Sequence, residues 1–274
     1  MKKLFTRAVT GSAFVGLIIL ALVLNSHLCF IGLFSLMSIL SLAEFYRLTN
    51  KKEKKITSLL DIAGGLILFL SLYALMTSPQ FEIITVVPYL IYLVARFVVQ
   101  LYTKEENPLI NWAFSLMGQV YVALPIALLN VVAFKYGFNI LLALFIFIWI
   151  NDTGAFCVGS TIGKNRLFER ISPKKSWEGF FGGLAFCIVA ATLFALCFPA
   201  YFSGLSLAQW IGLGIVTSIF ATWGDLCESL IKRTLGVKDS GKLLPGHGGM
   251  LDRIDSLLLV IPAALLYLIL IESI

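Results

Sequence analysis

Nine long apolar runs follow one another along this chain, and short polar segments separate them. A helix needs about 20 mostly apolar residues to cross a bilayer. The runs predict helices at 8–25, 27–46, 57–77, 82–102, 111–134, 138–160, 178–200, 205–231 and 250–272. The pattern therefore predicts an all-α integral membrane protein, a polytopic bundle of about nine transmembrane helices.

The basic residues support this count and give the bundle an orientation. In a nine-span arrangement, 20 of the 21 Lys and Arg residues fall on one side, and Lys135 is the exception. Loops rich in Lys and Arg stay in the cytoplasm. We therefore expect a cell (inner) membrane protein with a cytoplasmic N-terminus and its C-terminus outside. The first run, Thr10 to Leu24, lacks a small-residue cleavage site and is expected to be a retained span rather than a signal peptide.

The overall composition agrees with a membrane protein. Of the 274 residues, 59% are hydrophobic and 13% charged, with a mean hydropathy of +0.94. Soluble domains have about 25% charged residues. The net charge of +6 is spread over short loops rather than gathered into a basic patch with interleaved aromatic residues, so no nucleic-acid partner is expected.

The acidic residues distinguish two parts of the chain. Residues 1–137 are expected to form about five spans, and Glu44, Asp61 and Glu82 to be solvated helix ends. Residues 138–274 are expected to form about four spans and cytoplasmic loops. Near the predicted cytoplasmic ends of these spans lie six acids, namely Asp152, Glu178, Asp225, Glu228, Asp252 and Asp255. Charged groups at such positions indicate a functional site.

Two pairs of these acids have the spacing of metal ligands. Asp225 and Glu228 are three residues apart, as are Asp252 and Asp255, so each pair shares a helix face. Clustered carboxylates repel one another unless a cation lies among them, and oxygen ligands beside phosphates favour Mg²⁺. We therefore expect these four residues to bind metal. A simple helix cap is the alternative for Asp252, but a cap does not explain Asp225.

The segment 236–249, before the last span, is rich in glycine but lacks the GxxxxGK[ST] pattern of a P-loop. Its glycine N–H groups, Lys238 and Lys242 suit a phosphate, as does the N-terminus of the last helix. An ordinary flexible loop is the alternative. His247 could donate to a phosphate or be an exposed imidazole.

Two further polar segments lie upstream. Asn151 to Gly154 is polar inside a span, so it must face protein or water; interhelical hydrogen bonding is the alternative. Ser172 to Gly179 lies in a basic loop, and a purely topological role would explain Lys174 and Lys175 but not Ser176 and Glu178.

From Ser229 to Asp255 the chain resembles the signature of the phosphatidate cytidylyltransferases, also called CDP-diacylglycerol synthases. The matching positions are Ser229, Lys232, Arg233, Lys238, Asp239, Gly241, Leu243, Leu244, Pro245, His247, Gly248, Gly249, Asp252, Arg253 and Asp255. The upstream segments Asn151 to Gly154 and Ser172 to Gly179 also resemble this family. These motifs cover roughly residues 140–274, and the N-terminal part resembles the family only in hydropathy.

The resemblance implies an activity. It is the phospholipid-biosynthetic transfer of a cytidylyl group from CTP to phosphatidic acid in the bilayer, giving CDP-diacylglycerol and pyrophosphate. It also implies a homodimer and a requirement for Mg²⁺, alone or with a second cation. Residues 138–274 would then be the catalytic part, and residues 1–137 would have structural, dimer or lipid-access roles. The catalytic residues expected are Asp225, Asp252, Asp255, Lys232 and Arg233, and the metal ligands are Asp225, Asp252, Asp255 and Glu228. The substrate-binding residues expected are Asn151, Asp152, Ser172, Lys174, Lys175, Ser176, Glu178, Lys238, Asp239, Lys242, His247, Gly248, Gly249 and Arg253.

Two other functions remain open at this point. A CTP-dependent polyprenol or phytol kinase would transfer the γ-phosphate instead and release CDP. A proton- or cation-coupled transporter would need acids near the midplane of the bilayer, often in both halves of the chain. The motif of CDP-alcohol phosphotransferases, D-G-x2-A-R, is absent from the sequence.

Overall fold

Helices account for most of the computed structural model, which describes residues 2–49, 55–78, 80, 82–104, 107–241, 243 and 248–273. The long helices are α1 (Lys2–Val23), α2 (His27–Thr49), α3 (Lys55–Thr77), α4 (Val87–Leu101), α5 (Pro108–Gly118), α6 (Leu124–Val131), α7 (Phe138–Ile162), α8 (Trp177–Cys197), α9 (Leu207–Thr234) and α10 (Leu251–Glu272). A 3₁₀ turn (Ile83–Val86) precedes α4, and π turns (Gln119–Ala123 and Val132–Tyr136) extend α5 and α6.

Eight helical segments among the described residues are long and apolar enough to cross a membrane. They are His27–Thr49, Thr57–Thr77, Ile83–Leu101, Pro108–Tyr136, Phe138–Ile162, Trp177–Cys197, Leu207–Thr234 and Leu251–Glu272. The apolar part of α1, Val9–Val23, is shorter than these. The predicted polytopic, helical membrane protein is thus confirmed, whereas nine spans remain a prediction.

A short β-hairpin interrupts the helices between α7 and α8. Strand β1 (Arg166–Phe168) pairs antiparallel with β2 (Ser172–Ser176), with Arg166 opposite Ser176. The sequence predicts only a basic loop here. Pro173 disfavours a strand interior, and the residues of β2 do not alternate between apolar and polar, so the sequence has no clear strand signal.

The chain forms two compact units, which we describe separately. Unit 1 comprises residues 1–136 and 239–254, and unit 2 comprises residues 137–238 and 255–274.

Unit 1 contains a buried polar network centred on Asp61, which is 1% exposed. Its Oδ1 accepts hydrogen bonds from Tyr92 Oη (2.9 Å), Arg96 Nε (2.8 Å) and Ser115 Oγ (2.7 Å). Gln119 Nε2 donates to the Asp61 carbonyl oxygen at 2.7 Å. The network joins α3, α4 and α5, and it places opposite charges together in an apolar interior.

The expectation that Glu44 and Asp61 are solvated helix ends is therefore wrong. Glu44 is 6% exposed, and only Glu82 lies at the surface as expected. Buried carboxylates need donors or cations around them, and in unit 1 helices distant in sequence supply these partners. The spacing of residues along the chain does not reveal such contacts.

Unit 2 is built around the packing of α7 against α8 and α9. Aromatic rings fill one part of its core, with Phe194 stacked on Phe202 at 4.0 Å between ring centroids and Trp210 edge-on to both. Ser206 begins α9 with a capping box, in which its side chain accepts from Gln209 N and the Gln209 side chain accepts from Ser206 N.

We predict that the Asp61–Arg96 pair is essential for stability. Replacing either residue alone by Ala leaves its partner as an uncompensated buried charge, which costs about 3–5 kcal/mol. The double variant should lose less than the sum of the two single losses, as measured by detergent-induced unfolding. Glu82→Ala, at an exposed acid in the same unit, is the control. A single-variant loss no larger than that of the control would contradict this role.

Candidate active site

A cavity of about 560 Å³ lies in unit 2 among α7, the hairpin, α8 and α9. This volume is within the range of small-molecule pockets, about 300–1,000 Å³. Its polar lining residues are Asn151, Asp152, Ser160, Arg166, Lys174, Lys175, Ser176, Thr222 and Asp225. The cavity thus combines two carboxylates with three basic side chains, a composition suited to a charged ligand.

Close helix packing holds the polar segment of α7 at this cavity. Asn151 is 2% exposed, and its Oδ1 accepts a hydrogen bond from Ser218 Oγ of α9 at 2.7 Å. Interhelical hydrogen bonding, the alternative considered for this segment, is therefore present at Asn151. The neighbouring Asp152 is exposed at the cavity, where a ligand can reach it.

The hairpin carries three predicted site residues to the cavity, namely Lys174, Lys175 and Ser176. Ser176 Oγ accepts from Gly179 N at 3.1 Å, which caps the N-terminus of α8. Lys175 Nζ lies 2.7 Å from Asp225 Oδ2. The side chains of this ion pair are 25% and 33% exposed, so both partners remain accessible to a ligand.

Asp255 and Asp225 come from helices that touch closely. Gly224 has no side chain, and a Cβ atom there would lie 2.7 Å from the Asp255 carbonyl oxygen and 2.9 Å from Ser256 Cα. Asp225 and Asp152 are both near enough for their charges to act on Asp255. Three of the predicted acids are therefore electrostatic neighbours within unit 2.

Two other predicted site residues, Glu178 and Ser172, make contacts that shape the hairpin region instead of lining the cavity. The Glu178 carboxylate accepts from the backbone N–H groups of Lys164 and Asn165 at 3.2 Å and from Asn165 Nδ2 at 2.7 Å. It thereby holds the turn between α7 and the hairpin. Ser172 begins β2 opposite Phe168 and does not line the cavity.

The C-terminal part of α9 contains a buried ion pair, and exposed basic residues follow it. Glu228 and Lys232 form an ion pair one helical turn apart, with side chains 1% and 11% exposed. Arg233 is exposed and donates to the Val237 carbonyl oxygen at 3.3 Å. Lys238 is also exposed.

The remaining signature residues belong to unit 1. Asp252 accepts from Ser240 N at 2.9 Å and from Gly249 N at 2.7 Å, so it organises the start of α10. This is the capping role considered as its alternative. Gly248 has φ +84°, a conformation that favours glycine. Of the other predicted substrate-binding residues in this part of the chain, Asp239 and Arg253 are exposed, and Lys242 and His247 lie outside the described residues.

Comparison with known proteins identifies the family of this chain. Residues 5–271 match the model of the Cytidylyltransferase family. The chain belongs to this family. The match confirms the resemblance inferred from the signature, and it also includes the N-terminal helices, where the sequence analysis found only a similar hydropathy.

Proteins named phosphatidate cytidylyltransferase are among the relatives of this cytidylyltransferase. The Staphylococcus aureus (strain COL) protein is 34% identical over 270 residues, covering 96% of this chain and 98% of its own length. The Staphylococcus saprophyticus protein is 34% identical over 256 residues, covering 92% and 95%. A Staphylococcus epidermidis protein (strain RP62A) is 39% identical over 189 residues, covering 65% and 67%.

The donor set of the cytidylyltransferase fits a hard divalent cation in chemical type. Asp152, Asp225 and Asp255 offer only carboxylate oxygens, and the Lys175 ammonium group stands where a cation would neutralise Asp225. Among the described residues, no three His, Cys, Asp or Glu side chains are already assembled at metal-binding distances. In this structure Asp225 Oδ2 is paired with Lys175, and Asp225 Oδ1 accepts from Ser229 Oγ at 3.2 Å.

Two functional candidates escaped the sequence analysis. Arg166 in β1 pairs with Ser176 in β2, and both residues line the cavity. A prediction of the hairpin from the sequence would have placed Arg166 beside the predicted site. Glu44 contacts the signature segment from α2 across about 200 residues of sequence, and no local pattern signals it.

Proposed function

We propose that this chain is a phosphatidate cytidylyltransferase, which converts CTP and phosphatidic acid into CDP-diacylglycerol and pyrophosphate in phospholipid biosynthesis. The main supporting observation is the cavity of unit 2, which is lined by Lys174, Lys175 and Arg166 together with Asp152 and Asp225. Family membership, the names of the relatives and the signature point to the same reaction.

The reaction requires the protein to position and neutralise phosphates. A phosphatidate oxygen forms a bond to the α-phosphorus of CTP, and the bond from that phosphorus to the departing pyrophosphate breaks. The attacking phosphate is already anionic, so no general base is needed. Catalysis then depends on orientation and on charge stabilisation.

The basic residues at the cavity are suited to this task. Lys174 and Arg166 line it, and Lys175 is held beside Asp225. We propose that Lys175 moves from Asp225 to a phosphate oxygen when CTP binds. The predicted phosphate-binding roles of Lys232, Arg233, Lys238, Lys242 and Arg253 remain proposals, and Lys232 would first have to leave its pair with Glu228.

We propose that Mg²⁺, alone or with a second cation, is held by Asp225 and Asp255 with Asp152 beside them. When bound, the ion would neutralise charge on the phosphates of CTP. Asp252 and Glu228 remain predicted ligands from their spacing. In this structure, Asp252 holds backbone N–H groups and Glu228 holds Lys232, so each would have to exchange these partners for a metal.

A paired isotope experiment tests the reaction. With purified protein, phosphatidic acid and Mg²⁺, label from [α-³²P]CTP should enter the lipid, and label from [γ-³²P]CTP should appear in pyrophosphate. Asp225→Asn and Lys175→Met should each lower this transfer by about 100-fold or more, because each removes a charge at the reacting phosphates. Glu169→Gln and Lys164→Met, at exposed residues in the hairpin turn and the turn before it, are the matched controls.

The outcome of that experiment separates the candidate functions. Entry of γ-label into lipid would identify a lipid kinase instead. Near-normal transfer by Asp225→Asn would remove Asp225 from the proposed metal site.

We further propose that the protein is a homodimer in the cell membrane, with nine spans and its cavity open to the cytoplasm. The support for the orientation is the grouping of basic residues on one side of the predicted spans, and the support for the homodimer is the resemblance to the family alone. In a variant without native cysteines, Glu169→Cys should react with an impermeant thiol reagent only after the membrane is opened. Ser203→Cys, in the exposed segment between α8 and α9, should react in intact cells. The reverse labelling pattern would contradict this topology.

A further inference from the structure

Glu44 lies in the N-terminal half of the chain, far in sequence from every motif, yet it is buried against the signature segment of unit 1. Its Oε2 accepts hydrogen bonds from Ser240 Oγ at 3.0 Å and from Leu251 N at 2.9 Å. A single carboxylate oxygen thus joins Ser240 to Leu251, the first residue of α10.

Ser240 is held at each of its polar groups by a charged side chain. Its Oγ donates to Glu44, its N–H donates to Asp252 at 2.9 Å, and its carbonyl oxygen accepts from Arg47 Nη2 at 3.0 Å. Ser240 is 1% exposed. Hydrogen bonds to charged groups are stronger than neutral ones, so this residue is fixed from three directions.

Glycines allow the segment to approach the Glu44 carboxylate this closely. A Cβ atom on Gly241 or on Gly249 would overlap the carboxylate. The two glycines belong to the signature. The missing side chain of Gly241 accommodates Glu44, and that of Gly249 accommodates both Glu44 and its hydrogen-bond donor Ser240. This gives a physical reason for glycine at both positions that phosphate binding alone does not supply.

We infer that Glu44, supported by Arg47, is a positioning residue that holds the described residues 240–241 and 248–251 of the signature in place for nucleotide binding. The nucleotide-binding role of these residues rests on the proposed function, whereas the hydrogen bonds to Glu44 are observed independently of it. A carboxylate that merely ended a helix would lie in solvent. Glu44 instead places its charge on donors of a segment about 200 residues away.

Hydrogen exchange on the full-length protein in nanodiscs tests the positioning directly. Glu44→Ala should raise the exchange rate of peptides covering residues 240–251 by about tenfold or more, because it removes two hydrogen bonds to a charged acceptor. Glu44→Gln keeps an acceptor oxygen and should recover part of the protection. Glu82→Gln, at an exposed acid of unit 1, should leave these peptides unchanged.

Kinetics distinguish positioning from a general structural role. In Glu44→Gln we expect the KM for CTP to rise by about tenfold while the KM for phosphatidic acid stays within about twofold. Combining Glu44→Gln with Ser240→Ala should cost less than the product of the two separate effects, because both changes affect the same hydrogen bond.

Each result supports or overturns the inference. If Glu44→Ala does not fold, Glu44→Gln supplies both measurements. Unchanged exchange in residues 240–251, an increase spread evenly over the chain, or equal changes in both KM values would overturn it. An inactive wild-type protein with the expected exchange pattern would instead reject the proposed function and leave the positioning of the segment intact.

Discussion

Every buried carboxylate in an apolar helix must be matched by donors or by a cation, and this constraint determines both the fold and the site of this protein. Asp61 is matched by Arg96, Tyr92 and Ser115, and Glu228 by Lys232. Glu44 is matched by the side chain and backbone of the signature segment. Without these partners the helices that carry the acids could not pack within an apolar interior.

The same constraint distinguishes a structural pair from a functional one. The Asp61 and Arg96 side chains are 2% and 5% exposed, so nothing can readily replace either partner. The Asp225 and Lys175 side chains are 33% and 25% exposed at the wall of a cavity. A pair that solvent and ligand can reach is able to exchange its partners, which is what we propose for binding of a metal and a polyphosphate.

Sequence reasoning predicted the helices well because their signal is local. A run of about 20 apolar residues has few alternatives to a membrane helix, and each predicted run coincides with a helix. The hairpin was not predicted, because residues such as Pro173 and Lys174 in five-residue β2 give no clear alternation. Glu44 and Asp61 were misjudged because their partners lie on other helices, and single acids near helix ends commonly face water.

The site shows the same division between local and distant information. The signature identified the family from Ser229 to Asp255 without any coordinates. The upstream segment and the spacing of the acids drew attention to Lys175 and Asp225, which line one cavity in the structure. The sequence did not distinguish residues that face the cavity from those that hold the scaffold, such as Glu178 on its turn. That distinction depends on which donors surround each carboxylate.

The most direct measurement is a structure of the protein with CTP and Mn²⁺, in which anomalous scattering locates the metal. The account predicts a Mn²⁺ peak within about 2–2.5 Å of carboxylate oxygens of both Asp225 and Asp255, with Lys175 Nζ moved from Asp225 to a phosphate oxygen. Bound CTP and Mn²⁺ with the Lys175–Asp225 pair intact and the metal on other residues would contradict it.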